Sequence, residues 1–80
     1  MRKFVYLKLK HNGKESCDYA LYEDMHHKSL IGAGTFDKER GGLFAFAFPE
    51  IVHRHGLGRL VRVDPMAYAL TDYQLTVEKR

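Results

Sequence analysis

Phe44, Phe46 and Phe48 recur at every second position of Gly41-Gly42-Leu43-Phe44-Ala45-Phe46-Ala47-Phe48-Pro49, so three of the chain's five phenylalanines fall in one short run. Two is the period at which side chains return to one face of a strand. On a helix the same rings fan out at ~100° steps and share no narrow face. The spacing predicts a strand with an aromatic face and a lighter face of Leu43, Ala45 and Ala47. Burying one such ring stabilises a fold by roughly 1.5–3 kcal/mol, so three together can drive the collapse of a small domain.

The domain is small: 80 residues are read as one unit, 1–80. A chain of this length buries only ~60% of the surface its unfolded form exposes, which leaves little room for a deep pocket. Hydrophobic residues make up 45% and charged residues 29%, which argues against disorder. Cys17 is the single cysteine, so no intrachain disulfide can form. Secreted domains of this size usually need such staples, so a reducing, cytoplasmic setting is expected. No membrane partner is expected either. The apolar run at 43–48 is far shorter than the ~20 residues a spanning helix requires, and the stretch after Arg2 and Lys3 is cut by Lys8 and Lys10.

Net charge is +3 and unevenly spread. Residues 1–14 carry Arg2, Lys3, Lys8, Lys10 and Lys14 without an acid, and residues 15–24 carry Glu15, Asp18, Glu23 and Asp24 without a base. Residues 51–63 hold Arg54, Arg59 and Arg62 with His53 and His55, again without an acid. The first two blocks cancel if they pair. The third has no neighbour in sequence to neutralise it, so a positive patch is expected there.

Residues 3–10 alternate, with Val5, Leu7 and Leu9 on one side and Phe4, Tyr6, Lys8 and Lys10 on the other. His11-Asn12-Gly13-Lys14 reads as a hairpin turn, and 16–23 alternate again with Cys17, Tyr19 and Leu21 on one side. A two-residue loop at Asn12-Gly13 sets Lys8 opposite Cys17 and mixes the faces. A register one step on sets Leu9, Leu7 and Val5 against Cys17, Tyr19 and Leu21, with Lys8 against Asp18. That register calls for a three-residue loop or a bulge, with Gly13 at positive φ.

Residues 29–36 form a third strand, in which Gly32 and Gly34 can admit another backbone or a bulky ring. With 42–48 it makes a second hairpin. A short helix follows over 49–55, begun by Pro49 and closed by Gly56. Residues 58–63 return as a strand. Asp64-Pro65 has the form of an N-cap and first-turn proline, and Met66, Leu70 and Tyr73 fall at helical spacing. A strand reading of Met66, Tyr68 and Leu70 stays open. Residues 74–79 alternate as a last strand. The sum is an α+β fold, a small twisted antiparallel sheet of about four to six strands with one or two short helices.

Candidate chemistry is sparse. His53 and His55 can share a metal on a strand, but on the expected helix they diverge by ~200°. Cys17 faces the core in the hairpin above, as a small apolar residue does. Gly32-Ala33-Gly34 and Gly56-Leu57-Gly58 lack the third glycine of a dinucleotide loop and any Gly-Lys-Ser/Thr ending. Asp37 and Glu39 alternate with Lys38 and Arg40 as a solvated turn does. No catalytic residue, metal or cofactor is therefore expected.

What remains is binding. Arg54, Arg59 and Arg62 are the expected contact patch, with Lys8 and Lys10 a second. Guanidinium groups there can meet partner carboxylates or nucleic-acid phosphates, and Tyr6, Tyr22 or Tyr68 can stack on bases. The expectation is a small non-enzymatic regulator or inhibitor that binds a macromolecule, of the sort phages and mobile elements encode. A protein is the expected partner, including one that handles nucleic acid; direct nucleic-acid binding is the alternative. Sheet edges also leave room for a homodimer.

Overall fold

Alternation in the first third of the chain becomes a hairpin of β1 (Arg2–Asn12) and β2 (Ser16–Tyr22). Its three-residue loop begins at Gly13, whose φ is 70°, a conformation glycine reaches without a Cβ penalty. The register differs from the expected one by two residues. Leu9 pairs with Tyr19, Leu7 with Leu21 and Lys10 with Asp18, whereas Leu9 was expected against Cys17 and Lys8 against Asp18. A slip of two preserves every face, because side chains alternate with period two. Val5, Leu7, Leu9, Cys17, Tyr19 and Leu21 therefore still share one buried face.

The computed structural model describes residues 1–37, 47–67 and 71–79. The remaining elements are β3 (Leu30–Asp37), α1 (Ala47–Arg54), β4 (Arg59–Pro65) and β5 (Asp72–Glu78). The five strands form one antiparallel sheet in the order β3-β2-β1-β5-β4, which is not closed. With one short helix among the described residues, the fold is α+β. β3 and β4 are the two edges and run parallel, and α1, which lies between them in sequence, packs on one face of the sheet.

The described end of the aromatic run departs from its period. Ala47 and Phe48 are helical, not extended; Phe44 and Phe46 lie outside the described residues. Phe48, Ile51 and Val52 stand at i, i+3 and i+4, and all three are buried, which is the stripe a helix needs to dock on a sheet. Pro49 sits in the first turn, where its missing N–H costs no hydrogen bond. The expected hairpin of 29–36 with 42–48 is thus not formed at its helical end, and β3 pairs with β2 instead.

α1 ends as expected at Gly56, with φ 67°. Leu57 N–H donates to the Val52 carbonyl at 3.1 Å and Gly56 N–H to the His53 carbonyl at 3.1 Å. Val52 and Leu57 bury their side chains beside this turn, which completes a Schellman motif.

Asp64 and Pro65 are extended rather than the start of a helix. Both belong to β4, opposite Gln74 and Tyr73. β4 is an edge strand, where proline needs no ladder partner for its nitrogen. Tyr73 likewise belongs to β5, and its ring packs 5.2 Å from that of Phe48. Tyr68 and Leu70 lie outside the described residues. The core is one layer between sheet and helix: Val5, Leu7, Leu9, Cys17, Tyr19, Leu21, Leu75 and Val77 below, and Phe48, Ile51 and Val52 above.

Candidate binding face

Among the described residues one helix covers one side of the sheet. The register shows what the other side carries, since residues in line across antiparallel strands share a face. From the β4 edge inward, Arg59, Glu78 and Arg2 form one row, and Arg62, Thr76 and Phe4 the next. Asp64, Gln74, Tyr6, Tyr22 and Leu30 follow, then Asp72, Lys8, Ala20 and Ala33, then Lys10, Asp18 and Thr35.

Of the five cations singled out from the sequence, Lys8, Lys10, Arg59 and Arg62 lie together on this open face. Arg54 does not join them. It stands on α1, across the sheet, where it bonds Glu50 at 2.9 Å. Acids just outside the stretch 51–63 and across the sheet neutralise part of it. Arg59 approaches Glu78 at 3.6 Å, and Arg62 Nε donates to Asp64 Oδ1 at 2.9 Å. Lys8 stands opposite Asp72, and Lys10 opposite Asp18. The arginine pairs are exposed and add little to stability; their effect is to offset the positive charge, whereas Asp72 is buried and Lys8 and Lys10 face their acids only in register.

Glu78 is held below the usual glutamate range, first by the hydrogen bond from Arg2 Nε at 2.9 Å and further by the charges of Arg59 and Arg2, against the effect of burial. Asp18 is also lowered, first by the Thr35 hydroxyl, which donates to its Oδ1 at 2.7 Å, then by Asn12, with Lys10 adding a smaller charge effect. Both carboxylates are thus set up to stay ionised among the cations.

Three residues of the face escaped the sequence reading. Arg2, Phe4 and Val61, with Lys3, Arg62 and Thr76, surround a shallow depression of about 350 Å³ near the β4 edge. Val61 reaches it because the β4–β5 register shifts between Leu60 and Arg62, where a bulge re-aims a side chain. Phe4 was legible, since it alternates with Val5 and shares a side with Tyr6 and Lys8. Nothing in the sequence marks the bulge. Tyr6 and Tyr22 are half-buried cross-strand neighbours here, and the Tyr22 ring lies 4.7 Å from that of His27.

On the helix side, polar groups are spent on attachment. The Tyr19 hydroxyl lies 2.7 Å from His55 Nε2 and accepts from Arg54 Nη1 at 3.4 Å. Arg54 is held above its ordinary value, by the hydrogen bond to Tyr19 first and that to Glu50 next. Gly32 and Gly34 of β3 lie beneath the rings: a Cβ on Gly32 would strike His55, and one on Gly34 would come within 2.8 Å of the Tyr19 oxygen. The glycines admit bulky rings, as expected. Tyr19 is only 3% exposed, so this polar chain pins the end of α1 to the sheet.

His53 and His55 are not brought to a common point: His55 turns to Tyr19, and His53 is exposed. Cys17 is fully buried, opposite His11 and Phe36. Among the described residues no three His, Cys, Asp or Glu side chains gather as metal ligands, and no helix is long and apolar enough to cross a membrane. No protein family, curated protein or solved structure matches the chain.

Proposed function

We propose that this chain is a non-catalytic protein-binding domain, a regulator or inhibitor in type, that receives its partner on the open face of the sheet. One observation carries the reading. Phe4 remains 54% exposed on that face, amid cations whose charge neighbouring acids partly offset, and Leu30 is 59% exposed at its far edge. Apolar side chains set among charges of both signs suit a protein surface, which presents the same mixture. A nucleic acid is instead a continuous row of phosphates and rewards an unbroken track of cations. Here acids interrupt the cations: Glu78 lies between Arg2 and Arg59, and Asp64 beside Arg62. The lone, buried Cys17 suits a reducing, cytoplasmic compartment.

The placement of the arginines supplies the test. The tagged chain is used to capture its partner from the native host, in parallel with an Arg59→Gln/Arg62→Gln double variant and an Arg54→Gln variant. Loss of the partner by the double variant and retention by Arg54→Gln are expected. Equal retention by both would sink the assignment of the face. Salt-steep retention on heparin or labelled DNA would hand the face to nucleic acid, and a doubled mass that Phe4→Ala abolishes would hand it to a second copy.

A further inference from the structure

Positive charge is densest at one corner of the open face. At the β4 edge Arg2, Lys3, Arg59, Arg62 and Lys79 come together, and among the described residues Glu78 and Asp64 are the acids paired with them. That corner contains the depression floored by Phe4 and Val61.

The arginines there are half used. Arg2 meets Glu78 through Nε, and Arg62 meets Asp64 through Nε, each at 2.9 Å. A guanidinium has five N–H donors, so among the described residues these contacts leave the paired Nη nitrogens of both side chains for an incoming carboxylate. The native acids fix the stems and orient the forks. Thr76, in line between Phe4 and Arg62, adds a hydroxyl to the floor.

We infer that this corner binds an acidic segment of a protein partner, extended across β1, β5 and β4, with one apolar side chain seated on Phe4 and Val61 and carboxylates taken by Arg2 and Arg62. In an extended chain, residues two apart face the same way, ~7 Å from each other. An apolar residue with an acid two positions to either side therefore spans ~13 Å. β1 and β4 are two strand spacings apart, roughly 10 Å, and the long arginine stems cover the difference. The segment lies on the face and does not add to the β4 edge. The bulge at Val61 and the closing Pro65 interrupt that edge, as edges that avoid pairing do. A nucleic-acid strand is disfavoured because Glu78 and Asp64 interrupt the row of cations here.

This inference rests on the reading of the open face as a protein-binding surface, and the experiment separates the two. The labelled protein is titrated, with amide shifts recorded, using a capped short peptide that has a central leucine and an aspartate two positions to either side. The controls are the same peptide with lysine for aspartate, and oligothymidine. Saturable shifts at Phe4, Val61, Arg62 and Thr76 are expected with the acidic peptide only. Phe4→Ala and Arg62→Gln should each weaken binding about tenfold, and unchanged amide shifts at Leu7 and Leu75 certify their folds. Absence of saturable shifts, equal binding of the lysine peptide, or the same shifts with oligothymidine would overturn the inference. If the peptide fails while partner capture still depends on Arg59 and Arg62, the inference falls alone; if capture does not depend on them, the protein-binding reading falls with it.

Discussion

Gly32 and Gly34 show how much can depend on a missing side chain. Each lies on the helix-facing side of β3, and each supports an aromatic ring from elsewhere in the chain. The two rings differ in freedom. Tyr19 is buried between β1, β3 and α1 and cannot yield, whereas His55 is half-buried and can swing outward. Gly34→Ala should therefore lower stability by roughly 1–3 kcal/mol, as overpacking does. Gly32→Ala should cost less, about the ~1 kcal/mol of one hydrogen bond, as His55 leaves the Tyr19 hydroxyl. Denaturant unfolding of both variants checks the order, and equal costs would show that the ring of His55 is as constrained as that of Tyr19.

At the scale of elements, local rules and packing agree in some places and compete in others. The hairpin of β1 and β2 obeys its alternation; only its register moved, by the one step size that conserves the buried face. α1 is a case of competition. Phe48 fits both a period of two with Phe44 and Phe46 and a helical stripe with Ile51 and Val52. The helix prevails because it buries all three of the latter against the sheet and ends in a complete Schellman turn. That turn needs Gly56 at φ 67°. Gly56→Ala should destabilise by roughly 1–2 kcal/mol, the cost of a left-handed non-glycine residue. Gly56→Asn should lose visibly less, since asparagine tolerates that conformation. Thermal melts of the pair measure it, and an unperturbed Gly56→Ala protein would show that the cap contributes nothing.

For the whole molecule, the governing fact is that, among the described residues, one helix covers one side of a five-stranded sheet. The two sides of β1 should therefore respond in opposite ways to truncation. Leu7→Ala, on the covered side, should cost about 2–5 kcal/mol, while Phe4→Ala, on the open side, should leave folding nearly unchanged and act on binding instead. Comparable losses from both would mean that the open face is structural. The same division explains what became of the five cations. Which side a residue takes follows from its parity on a strand, so Lys8 and Lys10 could be placed together from the chain alone, and Phe4 with them. The class of fold, the turn at Gly13 and the end of α1 were readable for the same reason: dihedral preference and side-chain alternation are properties of neighbouring residues. Strand order is not. It sets β5 between β1 and β4, and thereby brings Glu78 between Arg2 and Arg59. It also sends Arg54 to the opposite side from Arg59 and Arg62. Arg54 and Arg62 find Glu50 and Asp64 just outside the acid-free stretch, whereas Arg59 meets Glu78 across strands, because electrostatic partners are chosen by through-space distance and for Arg59 that distance is decided only when the strands assemble.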